Sequence, residues 1–141
     1  MAKTIPDSTR SRIEEGYAAL LGSVSPLVPR RLDLYERAGS DTIVAMEQAR
    51  ADALVSPALD AKSVQLHQFA IYAALMLEGP TLTHCVTARD LGAGLDEILA
   101  VAQIVCVARG FPAFAAACAA IESAFGDVDD DSSLHSSKRQ A

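Results

Sequence analysis

No stretch of this chain alternates apolar and polar residues at a period of two, and no Asn-Gly or Asp-Gly dipeptide marks a hairpin. Alanine and leucine dominate, and Gly or Pro interrupts them at intervals that suit short helices. These features leave an all-α fold as the only economical reading. Half of the 141 residues are apolar (50%), enough to build a real core at the size of one domain.

The punctuation predicts where the helices lie. Asp7-Ser8 can cap a first helix that runs to Gly22. Pro26 and Pro29 precede a short helix from Leu32 to Ala38, stopped by Gly39. Ser40 or Asp41 caps a third, Thr42 to Leu54, which Ser56-Pro57 ends. Asp60 starts a long segment that Gly79-Pro80 terminates. A helix from Thr81 to Leu91 stops at Gly92. Gly94-Leu95-Asp96-Glu97 opens another, with an acidic first turn that suits the helix dipole, and it runs to Arg109-Gly110. Phe111-Pro112 begins the last, which ends near Gly126. This gives one helical domain over 1–126. Residues 127–141, DVDDDSSLHSSKRQA, are polar and charged, and they are expected to form a disordered tail containing a solvated His135.

Charge and cysteine usage narrow the function classes. The net charge of −6 argues against a nucleic-acid partner, which requires clustered Lys and Arg. The arginines are scattered, and the one local pair, Arg30-Arg31, reads as a solvated helix face. Three cysteines, Cys85, Cys106 and Cys118, with no C-x-x-C pair and no apolar leader at the N-terminus, fit reduced thiols in a cytoplasmic protein. The longest apolar stretches, 69–77 and 98–108, are too short or too interrupted to span a membrane.

Residues 64–77, 98–108 and 111–121 are apolar almost all round their helices. Such a helix must be covered on every side, which argues for a homo-oligomer with these helices at the contacts. Against that background the few polar residues stand out. Gln65, Gln68, Tyr72 and Met76 fall at i, i+3, i+7 and i+11, on one stripe of the long helix. Two amides and a phenol there suit either the lining of a substrate pocket or a polar network at a subunit contact. Thr81, His84 and Ala88 share a face of the next helix. His84 near a helix start is expected to stay neutral and so able to accept a proton, or else to be a core histidine held by a backbone carbonyl. His67 lies about 200° around the long helix from Gln65. It could pair with His84 as a metal ligand, but no third ligand stands at metal-site spacing. Cys85 is a core residue or a lone thiol near a helix start. Arg89 is an anion clamp or a solvent-facing charge.

Residues 59–121 resemble the core of the carboxymuconolactone decarboxylase and AhpD-like superfamily. The features that carry the resemblance are Leu59-Asp60 before a long helix, the His-x3-Ala-x3-Gly row of His84, Ala88 and Gly92, Glu97-Ile98 opening the next helix, and the turn Gly110-Phe111-Pro112. The resemblance implies an AhpD-like helical bundle assembled as a trimer or hexamer. It also shows two departures. The peroxidases of that superfamily carry a C-x-x-C pair ending four residues before the histidine, where this chain has Leu77 and Pro80. They also carry a relay glutamate, where this chain has Gln65. Disulfide chemistry needs two thiols in bonding reach, and an amide cannot shuttle a proton. The resemblance then points to the decarboxylase branch. That branch implies a cofactor-free, metal-free enzyme acting on a small organic acid, lactone or carbonyl compound. His84 would be the catalytic group, and Gln65, Gln68, Tyr72, Thr81, Cys85 and Arg89 would contact the substrate. The alternatives are a thiol-dependent reductase using Cys85 and a non-catalytic scaffold that keeps the fold.

Overall fold

The computed structural model describes residues 3–55 and 58–126. The described residues form helices and connecting turns, with no strand among them. The order is α1 (Asp7–Leu21), α2 (Leu27–Arg37), α3 (Thr42–Leu54), α4 (Ala61–Ala74), α5 (Glu78–Asp90), α6 (Leu95–Arg109) and α7 (Phe111–Phe125). None is long and apolar enough to cross a membrane. The expected tail, 127–141, and the Ser56-Pro57 stop lie outside the described residues. Where the sequence suggested one domain over 1–126, the chain divides into two compact units, Met1–Ala61 and Lys62–Ala141.

The first unit is α1 to α3 around a small core of Ile5, Leu32 and Ile43, flanked by Ile13, Tyr35 and Val44. α2 begins five residues earlier than the sequence suggested (Leu27 against Leu32), because Pro29 falls in its first turn, where a missing N–H costs nothing. Asp7 lies inside α1 rather than capping it, and Pro6 takes the cap position.

The second unit is α4 to α7. α7 packs against both α5 and α6. Its inward residues Ala113, Ala117, Ala120 and Ala124 are small, as is Ala102 of α6, and small residues permit close helix approach. Larger side chains, Leu66, Phe69, Ile98, Val105 and Ile121, fill the rest. The Lys62 ammonium meets the Glu97 carboxylate at 3.0 Å, linking the first turns of α4 and α6.

The break between α4 and α5 differs from the expected Gly79-Pro80 stop. α4 ends at Ala74, and Met76 takes φ 57°. The Leu77 amide donates to the Tyr72 carbonyl at 3.0 Å and the Met76 amide to Ala73 at 2.9 Å. This is the Schellman pattern of a helix C-terminus. α5 ends the same way through Gly92, at φ 95°, with the Ala93 amide on the Ala88 carbonyl. Glycine accepts that conformation freely, whereas a side chain pays a steric cost. Gly79 and Pro80 instead fall in the first turn of α5. Met76 is 52% exposed, so little burial is at stake there. Met76→Gly is therefore expected to stabilise the chain by about 1 kcal/mol, read as a higher urea midpoint at unchanged slope.

Candidate functional site

The break at Met76 places α5 so that its second turn faces α4. His84 is 5% exposed, and Gln65 is fully buried. The Nδ1 of His84 lies 2.7 Å from the Oε1 of Gln65. With the amide oxygen turned to the ring, Nδ1 is the donating nitrogen of this pair. The Tyr72 ring lies against the imidazole with centroids 5.1 Å apart and planes 5° from parallel. Gln65 and His84, both buried, and the half-buried Tyr72 thus form one cluster that joins an amide, an imidazole and a phenol.

Gln68 stands one turn from Gln65 on α4. The Nε2 atoms of both amides are buried and find no hydrogen-bond partner among the described residues. A buried donor left unmet costs about 1–3 kcal/mol. The two donors lie one turn apart on α4, and the Gln65 side chain is the one that meets His84.

The other residues singled out in the sequence are placed differently. Met76 is off the α4 stripe, because the helix has already ended. Thr81 is fully buried, but its hydroxyl donates to the Leu77 carbonyl at 2.7 Å, one turn back. Its role is to bind the start of α5 rather than to offer a free hydroxyl. Arg89 donates from Nε and Nη2 to Asp90 and from Nη1 to the Ala124 carbonyl near the end of α7. It ties α5 to α7 and is not part of the His84 cluster. The Nδ1 of His67 lies 2.6 Å from the Ser63 carbonyl, and the residue is exposed. Among the described residues, no group of three His, Cys, Asp or Glu side chains could hold a metal ion.

Cys85 is fully buried within the apolar core of this unit. Burial pushes its thiol up to about 11, against a smaller opposing effect from the Arg89 charge. At neutral pH the sulfur is a thiol, and the thiolate is the nucleophile. In native protein at pH 8, iodoacetamide is accordingly expected to label the half-buried Cys106 and Cys118 well before Cys85. Peptide mapping by mass spectrometry reads the order, and early labelling of Cys85 would restore it as a reactive group.

Sequence reasoning missed a second polar cluster, in the first unit. Glu47 is 7% exposed, and its carboxylate accepts from Tyr17 Oη at 2.7 Å and from Arg31 Nη2 at 2.6 Å. The Arg31 guanidinium also donates to Tyr17 Oη at 2.8 Å. Arg31, expected on a solvated face, is therefore half-buried against a carboxylate. The available signal was Glu47 itself, at i+4 from the core residue Ile43 and so on the buried face of α3. Burial and the Glu47 carboxylate raise the Tyr17 phenol above its ordinary value. A cavity of about 250 Å³ adjoins this cluster.

Compared with protein-family models, with curated proteins and with solved structures, the chain finds no match.

Proposed function

We propose that this chain is a carboxymuconolactone decarboxylase/AhpD-like enzyme that performs cofactor-independent acid/base chemistry on a small organic acid, lactone or carbonyl compound. The observation that carries the reading is the buried His84–Gln65 pair, together with the unmet Nε2 donors of Gln65 and of Gln68 one turn along α4. In this reading Gln65 orients the ring through Nδ1, and Nε2 is the nitrogen that exchanges a proton with the substrate. Nε2 takes a proton from the carbon beside a carbonyl. In a decarboxylation the protonated ring instead delivers its proton to the carbanion left when the carboxylate departs as CO₂. The Gln65 and Gln68 amides bind the substrate oxygen on which charge gathers, and Tyr72, half-buried on the imidazole face, guards the approach. Cys85 takes no chemical part in this reading, because it is fully buried in the apolar core.

The proposal includes a cytoplasmic homo-oligomer, a trimer or hexamer. Ile104 and Val107, one turn apart on α6, are 66% and 90% exposed in the single chain, and Phe111 at the start of α7 is 75% exposed, apolar side chains that a second copy would cover. Light scattering tests it: a monomer at micromolar concentration removes the assembly from the proposal.

The enzymatic reading is tested by incubating the protein with a panel of β-keto acids and unsaturated lactone acids in deuterated water. Proton NMR then reports CO₂ loss or exchange at carbon. Turnover that disappears in His84→Gln supports the reading. The low exposure of His84 favours one competing reading, a scaffold that keeps the buried cluster for packing alone. No turnover and no exchange across the panel would select the scaffold.

A further inference from the structure

We infer that the first unit contains a separate binding site for a small carboxylic acid with a compact apolar body, seated between α1 and α3. The cavity there holds about 250 Å³, roughly the room of eight water molecules. Ile13, Leu20, Val44, Ala51 and Val55 give it an apolar bed, and Tyr17 gives it an aromatic wall. Two arginines, Arg12 and Arg50, also line the cavity. A lining of this kind, apolar with few placed charges, is what small-molecule sites use.

The charge balance decides the class of ligand. Among the described residues, Glu47 is the only carboxylate lining the cavity, and Arg31 and the Tyr17 hydroxyl already occupy it. Arg10 pairs with Asp33 and Glu36, and Arg31 with Glu47, but neither Arg12 nor Arg50 forms an ion pair among the described residues. The Arg50 guanidinium carbon sits 4.1 Å from the Tyr17 ring centroid, a cation–π placement. A guanidinium stacked on a ring keeps its N–H edge available, and that fork matches a carboxylate. In a chain of net charge −6, two uncompensated cations over an apolar bed select an anion with an apolar body. The Tyr17–Glu47–Arg31 network fixes the ring on which Arg50 rests, so the site is built in advance of the ligand.

Gly16 supplies a clean blocking variant. It lies within α1 and lines the cavity, and a Cβ added there meets no atom within 4 Å. Leucine at this position enters open space and also improves helix propensity. The test uses the full chain, labelled with ¹⁵N and titrated with benzoate, benzyl alcohol and inorganic phosphate in parallel. Benzoate is expected to give saturable amide shifts at Ile13, Gly16 and Ala51, with both other probes at least tenfold weaker. Arg12→Gln and Arg50→Gln are each expected to weaken benzoate about tenfold. Gly16→Leu is expected to abolish binding while the melting temperature stays the same or rises. Equal binding of benzyl alcohol, equal binding of phosphate, or benzoate shifts that persist in Gly16→Leu would each overturn the site. Benzoate shifts confined to His84, Gln65 and Tyr72 would overturn it too, and would leave the acid/base reading of the second unit standing.

Discussion

His84→Gln is expected to lower turnover by about 10²- to 10⁴-fold, the usual contribution of a positioned general acid/base group. Glutamine can still hydrogen-bond to Gln65, so the cluster keeps a polar partner while losing its titratable group. A drop in kcat at unchanged fold, checked by circular dichroism, assigns the loss to chemistry. The second arm is Gln65→Glu, a positioning change. A carboxylate beside Nδ1 favours the imidazolium, so the ascending limb of the pH–rate profile should move to higher pH. General-base action requires the unprotonated ring, which then appears later in the titration. A His84→Gln variant with wild-type turnover, or a Gln65→Glu profile that does not move, would remove His84 from the reaction.

Phe69→Ala should give the largest loss of stability, about 3–5 kcal/mol. Phe69 is fully buried in the core of the second unit. It lies on α4 between Gln65 and Tyr72, at i+4 from the first and i−3 from the second. Alanine removes the transfer free energy of the ring and leaves a void that the helices fill only in part. Against a domain stability of about 5–15 kcal/mol, that is a large fraction. Urea denaturation should show the midpoint falling sharply at unchanged slope. Phe69→Leu should recover most of the loss, because it restores apolar volume. A Phe69→Ala cost below about 1 kcal/mol would mean that the site can collapse, contrary to the close packing typical of such cores. Because Gln65 and Tyr72 flank this ring, the alanine variant should also loosen the His84 cluster.

The helical class and most element ends were legible because they depend on local chemistry. α1 stops at Gly22, which takes φ 73°, and α6 and α7 meet at Gly110-Phe111-Pro112 as the punctuation indicates. The α4 end was not legible. The sequence offers Gly79-Pro80 as a strong stop, yet Met76 adopts the left-handed turn, five residues after Ile71. No local preference of methionine announces that conformation; the arrangement of α4 and α5 imposes it. On the candidate site, helical spacing put Gln65, Gln68 and Tyr72 on one stripe, but it could not say what that stripe faces. Arg89 shows the converse: a charge close to His84 in sequence turns out to bind the carbonyl of Ala124, on α7.

By itself, the sequence determined that this chain is helical, where most of its helices stop, and which polar side chains interrupt apolar faces. Those properties follow from backbone preferences and from periodicity along one helix. Only the tertiary structure decided that the His84 ring meets the Gln65 amide, that Glu47 draws Arg31 and Tyr17 together, and that Arg89 reaches the Ala124 carbonyl. Each of these depends on which helix lies opposite and at what distance, and a hydrogen bond that fails beyond about 3.5 Å is set by that packing and not by spacing along the chain.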